Sequence, residues 1–258
     1  MKKSFAMFCT MFTLLLKADH AAAPKLDLEQ IKNGIVFFTF DDHDFDGWQK
    51  AIPIFRRYDA FATFFVCGEL NEKAVSTMKK LQDSGHTVGL HSLRHKNAPE
   101  FISENGSEEY LRAEIIPQLE MCRKAGIKVQ NFAYPNNRRT EETDALLGKY
   151  FKRFRAGCAC PKELPLLKHE PFFRNIADLK TSPVMPGAGI GSYYSTNEEL
   201  LRAVLTKAAK ENKAIVFFSH DIAPQASRIG MDTAVLEMCL KTARGLGMKI
   251  ASFDQLDD

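Results

Sequence analysis

The sequence predicts an α/β fold: a single irregular (β/α) barrel of about seven or eight parallel strands. Three observations carry this expectation. Runs of β-branched and aromatic residues alternate with stretches whose apolar residues recur at helical spacing, the mark of repeated strand–helix units joined by right-handed crossovers. Runs such as Gly34–Phe40 (GIVFFTF) and Ala214–Phe218 (AIVFF) are almost wholly apolar, as strands covered on both faces are. The 258 residues match the length over which such barrels form one domain, and no linker, internal repeat or low-complexity tract divides them.

The elements follow in order. After the first strand, Gly34–Phe40, Asp46 is placed to cap a helix carrying Trp48, Ile52 and Phe55 on one face. Ala62–Val66 is the second strand, and Val75, Met78 and Leu81 mark a helix that stops at Gly85. Thr87–Leu90 is the third strand. A longer helix places Leu111, Ile115, Leu119 and Cys122 on one side and ends at Gly126. Asn131–Tyr134 is a fourth strand, 145–150 is helical, and Arg153–Gly157 is a fifth strand. The stretch from Leu164 to Ser195, rich in Pro and Gly, reads as loops around one strand. Thr196 and Glu199 form a capping-box pattern ahead of Leu200, Leu201, Val204 and Leu205. Ala214–Phe218 is a buried strand, Val235, Cys239 and Leu246 line the last helix, and Lys249–Phe253 closes the chain of elements.

In barrels of this kind chemistry sits at the C-terminal ends of the strands. There the sequence places Asp41, Asp42, His43 and Asp44 after the first strand, His91 and His95 after the third, and His220 and Asp221 after AIVFF. Singly, each has an ordinary explanation: a capping aspartate, a surface turn, a structural histidine. Jointly, two histidines and a carboxylate make a divalent-ion site that keeps a coordination position open. His91 and His95, four apart, would meet on one face of a helical turn. A second aspartate and a separate histidine would then serve as base and acid for hydrolysing an acyl group. Because neighbouring strand residues point to opposite faces, Asp41 and Asp42 reach one site only if the backbone turns between them.

These residues resemble a known family, the polysaccharide deacetylases of carbohydrate esterase family four, which share the nodulation-protein-B-like homology domain of chitooligosaccharide deacetylases. The resemblance runs from about Gly34 to Leu256. Thr39-Phe40-Asp41-Asp42 is similar to the family's first motif, 85–95 (GHTVGLHSLRH) to its H-[ST]-x-x-H motif with the usual approach, and Phe218-Ser219-His220 to its last motif. The resemblance implies that Asp41 is the catalytic base, that Asp42, His91 and His95 hold one divalent metal, zinc by preference, and that His220 is the general acid. It implies an oxyanion or substrate role for the Asn136 backbone N–H and for Tyr134, and an acetylated polysaccharide or oligosaccharide as substrate. His86 carries no such role and reads as structural.

Two family features are altered. The third motif aligns with Ala133-Tyr134-Pro135-Asn136, so the arginine that steadies the base is replaced by Ala133, with Arg138 or Arg139 close enough in sequence to substitute. The Asp-Trp of the fourth motif is absent, since the single Trp is Trp48; this leaves the partner of His220 unassigned, with Asp178 as a candidate. The reading is a metal-dependent hydrolase that removes acetyl groups, N-acetyl ahead of O-acetyl, from a sugar polymer or oligosaccharide. The alternatives are a metal-dependent amidohydrolase acting on a small non-sugar amide, or a non-catalytic carbohydrate-binding descendant.

Composition narrows the setting. Hydrophobic residues make up 45% and charged residues 26%, which excludes a disordered chain, and a net charge of +3 gives no reason to expect a nucleic-acid partner. Six scattered cysteines form no CxxC pair and no regular framework, so disulfides do not define the fold and the cysteines read as small buried residues. Lys2 and Lys3, the apolar run from Ser4 to Leu16, and Ala21–Ala23 have the layout of a secretory signal, too short to span a bilayer, which takes ~20 apolar residues. Residues 1–23 are thus expected to be removed, leaving 24–258 as a secreted or periplasmic catalytic domain with no stable membrane insertion. Amino-terminal sequencing of the native protein should find a start close to Pro24; an intact Met1 on soluble cytosolic protein would refute export.

Overall fold

The computed structural model describes residues 23–158 and 165–256, so the expected signal segment lies, but for Ala23, outside the described residues. The chain begins with β1 (Ile35–Asp42), α1 (Phe45–Arg57), β2 (Thr63–Val66), α2 (Glu72–Asp83) and β3 (Thr87–Leu90). A compound helical segment follows, made of α3 (Ala98–Asn105), α4 (Ser107–Tyr110), a π-helical turn at Leu111–Ile115 and α5 (Ile116–Ala125). Next come β4 (Asn131–Ala133), α6 (Glu141–Leu147), β5 (Arg153–Gly157), the two-residue β6 (Arg174–Asn175), β7 (Val184–Gly189) and α7 (Glu198–Lys210). The last elements are β8 (Lys213–Ser219), β9 (Ile222–Ala223), β10 (Met231–Asp232), α8 (Thr233–Gly245) and β11 (Lys249–Ala251).

Seven parallel strands close a barrel in the order β1, β2, β3, β4, β5, β7, β8, with β8 returning to β1 from Ile35↔Ala214 to Phe40↔Ser219. This is the fold class expected from the sequence. The closing segment is not an eighth stave: β11 pairs with β1 only at Ile35–Phe37, and β2 takes over the same edge from Thr39 to Asp42. The strand expected between 164 and 195 is β7, flanked by short helical turns.

Strand alternation divides the core in two. Val36, Phe38 and Phe40 of β1, Phe64 and Val66 of β2, Val88 and Leu90 of β3, and Ile215 and Phe217 of β8 face outward and pack with helical residues such as Trp48, Phe55, Leu81, Leu205 and Leu236. Ile35 and Phe37 of β1, Phe65 of β2, Ala133 of β4, Met185 of β7 and Val216 of β8 face inward and fill the barrel. Gly89 of β3 is required by this interior, because a Cβ there would lie 2.6 Å from the Phe65 ring and 2.7 Å from the Asn131 carbonyl. Cys67, Cys122 and Cys239 are buried thiols that burial pushes up to about 12, in keeping with a packing role.

Two caps differ from expectation. The first helix is capped by Asp44, whose carboxylate accepts from Gly47 N at 3.2 Å; Asp46 lies in the first turn and pairs with Lys73 at 2.6 Å. The cap of α7 is Asn197, which accepts from Leu200 N at 2.8 Å, while the Thr196 hydroxyl accepts from Gly191 N at 3.0 Å. Asp46 is drawn to Lys73 of the next helix, and Thr196 closes the loop turn at Gly191.

His86 is structural, as the sequence reading held. It is 5% exposed, edged by the rings of Phe55, Phe61 and Phe64, and its Nδ1 accepts from Ala62 N at 3.1 Å. Burial, with a smaller contribution from the Arg56 charge, pushes this imidazole down to about 3. In the unfolded chain it protonates near pH ~6.5, so as pH falls the unfolded state takes up the proton first. The stability His86 contributes is full above about pH 6.5 and drains away toward pH 3, at about 1.4 kcal/mol per pH unit. Replacing His86 by Gln, which keeps an acceptor for Ala62 N, should flatten the pH dependence of urea-unfolding free energy between about pH 6 and 4. Equal slopes for wild type and variant would sink this account.

Candidate active site

Asp41 continues the inward series Ile35, Phe37, Thr39 of β1, and is 3% exposed. Asp42 would by alternation face the helices. Its φ of +79° turns the backbone instead, so that both carboxylates reach the barrel mouth. This is the turn that the sequence required. His91 extends the inward series Thr87, Gly89 of β3 and is 2% exposed. His220 follows β8.

His91 and His95 do meet, but not on a helical turn. Residues 91–95 form an irregular bend with Ser92 at φ +64° and His95 at φ +57°. The bend is held by the segment before α5. Pro117 has no N–H to give to Ala113 O four residues earlier, and the helix passes through its π turn there. Arg94 Nη2 donates to Ala113 O at 3.0 Å, Leu93 N donates to Glu114 O at 3.0 Å, and the wholly buried Glu114 carboxylate accepts from Arg94 N at 2.7 Å and Arg94 Nε at 2.8 Å. The freed helix carbonyls thus fix the histidine bend.

The donor geometry fits a cation. Ligand atoms of Asp42, His91 and His95 all lie within 4.8 Å of one another. His91 Nδ1 is 2.8 Å from the Ala133 carbonyl, which can only accept, so Nδ1 carries the proton and Nε2 turns its lone pair to the site. His91 Nε2 is 3.7 Å and His95 Nε2 3.9 Å from Asp42 Oδ1. The two Nε2 atoms approach to 3.1 Å, a separation at which two lone pairs need a proton or cation between them. Burial first, and the Arg155 charge among the rest, push the His91 imidazole down to about 4 despite Asp41 and Asp42, so it is neutral at neutral pH as a metal ligand must be.

Sequence reasoning missed Arg155. Position 133, where the family arginine would stand, faces inward on β4 and is Ala; its register partner on β5 is Arg155, one strand over in the same layer. Arg155 is 1% exposed and donates to Asp41 Oδ2 and to Asn137 Oδ1. Phe218 lies over its guanidinium at 4.7 Å, and a Cβ on Gly187 of β7 would come within 3.5 Å of its Cδ. The substitutes named from sequence are otherwise engaged: Arg139 pairs with Asp144, and Arg138 is exposed. The signal was available as two arginines, 153 and 155, at strand spacing inside a buried strand.

Burial pushes the Asp41 carboxyl up, but Arg155, His91 and His220 together pull it down further, so it sits below the usual carboxylate range. Oδ2 is bound by Arg155, while Oδ1 is buried and has no protein hydrogen-bond partner. His220 Nε2 is 3.9 Å from Asp42 Oδ2, and its Nδ1 is 3.1 Å from the Ile229 carbonyl. The partner left unassigned is this carbonyl, not Asp178, which receives Asn175 Nδ2 at 3.2 Å. Trp48 Nε1 donates to His220 O at 3.0 Å and Asp44 Oδ2 accepts from Ile222 N at 2.9 Å, so α1 holds the segment carrying His220. Asn136 is exposed, with φ +53° in a short turn. Tyr134 is fully buried, donates its hydroxyl to Asp144 Oδ1 at 2.8 Å, and does not present its side chain to a substrate.

The fold and this cluster define a barrel whose mouth gathers one carboxylate and two imidazoles that could hold a metal ion. Residues 29–151, a little under half of the chain, match the family described as polysaccharide deacetylase. A peptidoglycan-N-acetylglucosamine deacetylase of Bacillus cereus is 30% identical over 101 residues, 39% of this chain and 35% of that protein. The chain spans about a quarter to a third of the length of the curated relatives it matches. Among solved structures, a chitin deacetylase from the fungal pathogen Colletotrichum lindemuthianum superposes with a TM-score of 0.60 at 16% identity, covering 93% of this chain and 92% of that one. A carbohydrate esterase family four pseudoenzyme from Bacillus anthracis gives 0.58 at 17% identity, covering 88% and 66%. At these identities the solved structures establish the fold alone.

The Asp41–Arg155 pair makes a stability prediction independent of catalysis. Arg155→Met should lower the unfolding free energy by ~3–5 kcal/mol, because it strands a buried carboxylate, and adding Asp41→Asn should return much of the loss. Additive effects in a denaturant-unfolding double-mutant cycle would show that the two are not coupled.

Proposed function

We propose that this protein is a metal-dependent deacetylase that hydrolyses N-acetyl groups on a sugar polymer, with Asp41 as base and His220 as acid. The observation that carries the reading is the setting of Asp41: its Oδ2 is clamped by a buried arginine and lies 3.9 Å from His91 Nε2, one of three converging ligand atoms, while its Oδ1 is buried and unpartnered. A carboxylate arranged in this way is ionised, oriented and ready to accept a proton. The named activities of the relatives and the intact Asp41, Asp42, His91, His95 and His220 support the same assignment.

A divalent ion, zinc by the chemistry of one carboxylate and two imidazoles, would be held by Asp42, His91 and His95, and would supply Lewis-acid polarisation of the acetyl carbonyl and of water. The chain's own groups do the rest. The Asp41 carboxylate takes the proton of the water that attacks the carbonyl carbon. The Asn136 N–H is the backbone donor that would hold the oxyanion. His220, its Nδ1–H directed to Ile229 O, gives the Nε2 proton of its imidazolium to the amine nitrogen as the C–N bond breaks. Acetate and the free amino sugar leave. The peptidoglycan and chitin activities named for relatives make a glucosamine-containing polymer the substrate class to test first. The sequence layout of residues 1–23 agrees with a secreted or periplasmic enzyme meeting such a polymer, and the described residues hold no helix long and apolar enough to cross a membrane.

Metal content and acetate release decide the assignment. Asp41→Asn should keep wild-type zinc occupancy and lose ~10²–10⁴-fold in turnover on chitin oligomers or peptidoglycan fragments. Asp42→Asn, His91→Ala and His95→Ala should lose the metal, with Asp42→Asn partly rescued by excess zinc. Undiminished turnover in Asp41→Asn would mean this mouth is not the reaction site. Release of acetate from small non-sugar amides but not from any glycan would replace the substrate class.

A further inference from the structure

Beside the site the structure carries a group that none of the chemistry above uses. Two loops at the barrel mouth, one after β7 and one after β8, are fastened to each other. Ile190 N donates to Phe218 O at 2.8 Å, Tyr193 N donates to Arg228 O at 2.9 Å, and the Ser219 hydroxyl lies 3.2 Å from Ile190 O and 3.1 Å from Ile229 O. Asp221 staples the second loop by accepting from Ser227 N at 2.7 Å and Ser227 Oγ at 2.5 Å. On this braced surface stands Tyr193, 59% exposed, whereas the other exposed large hydrophobic residue among those described, Tyr150, precedes β5 at the opposite end of the barrel. Ring contacts lead from it to the site: Tyr193 to Tyr194 at 5.1 Å, Tyr194 to Phe218 at 5.2 Å, Phe218 to His220 at 6.4 Å. The Arg228 guanidinium sits 5.0 Å from the Tyr193 ring centre, is exposed, and has no carboxylate partner among the described residues.

We infer that Tyr193 and Arg228 form a binding platform for a carboxylate-bearing sugar residue of the substrate chain, a short way along it from the residue being deacetylated. This rests on the deacetylase reading and names what that site adds to it. A rigid, exposed aromatic costs little ordering entropy to use, and its ring matches the C–H face of a pyranose. The two-loop brace holds it at a fixed distance from His220, as a subsite must be held. Arg228 is exposed beside this ring, and a guanidinium there can meet a carboxylate in the planar, two-pronged geometry that lysine cannot offer. An unpaired exposed guanidinium beside an exposed ring is thus suited to an acidic sugar in the same chain as the acetylated one.

The test uses the full-length protein loaded with zinc, in an Asp41→Asn background so that ligand is not consumed. Titration calorimetry compares chitin tetramers with glycan tetramers in which acetylated glucosamine alternates with a carboxylate-bearing sugar. Tyr193→Ala should weaken binding of both tetramers roughly 3- to 10-fold and leave the monosaccharide affinity close to that of the parent. Arg228→Gln should weaken the acidic tetramer selectively, and this loss should shrink with added salt. Tyr150→Ala, at the far end of the barrel, serves as the control. Equal affinities in Tyr193→Ala and parent for both tetramers would overturn the platform, and equal losses for neutral and acidic tetramers in Arg228→Gln would overturn the acidic partner. Circular dichroism of each variant separates lost binding from lost folding. Absence of acetate release by the wild type would count against the deacetylase reading alone, since the binding comparison stands without turnover.

Discussion

A charged pair inside a barrel organises this molecule. Asp41 and Arg155 are each almost fully buried, and neither charge would be tolerated there without the other, because taking an isolated ion out of water costs several kcal/mol. Much of the surrounding interior makes sense as accommodation of the pair. Ala133 and Gly187 are small where the arginine passes, Phe218 covers its flat face, and Asn137 takes a second guanidinium hydrogen bond. The outcome for the carboxylate is an ionised group with one oxygen fixed and one oxygen left over.

The mouth around this pair is shaped from outside the barrel. Pro117 interrupts the helix before α5, and the carbonyls it frees, together with the buried Glu114 carboxylate, hold the bend carrying His91 and His95. Trp48 and Asp44, at the start of α1, hold the backbone that carries His220. The helical layer therefore places the loop residues, while the strands place Asp41, Arg155 and His91. Both layers are needed for donors to converge within a few ångströms, a tolerance that loops alone rarely keep.

The same barrel in a relative described as a pseudoenzyme shows why fold likeness does not assign activity. Particular atoms distinguish this mouth: an unpartnered Asp41 oxygen, two imidazole nitrogens at 3.1 Å, and a His220 whose Nδ1 is directed to a carbonyl.

The barrel was legible in the sequence because its strands are runs of apolar residues at regular spacing, and periodicity is a local property. The cluster was legible because Asp41, Asp42, His91, His95 and His220 fall at strand ends, where the topology brings separate segments together. Tertiary structure decided what depends on a partner distant in sequence. The cap role expected of Asp46 passed to Asp44, while Asp46 pairs with Lys73 of the next helix. The bend at 91–95, expected as a helical turn, takes its shape from helix carbonyls about twenty residues away. Tyr134, expected near the substrate, turns outward because it lies one residue beyond the inward-facing Ala133. Arg155 stood in for the missing third-motif arginine from the next strand, where only the lateral register of β4 on β5 reveals the equivalence. Sequence order holds the periodicity of a strand; which strand lies beside it, and what its side chains meet across the barrel, exist only once the sheet has closed.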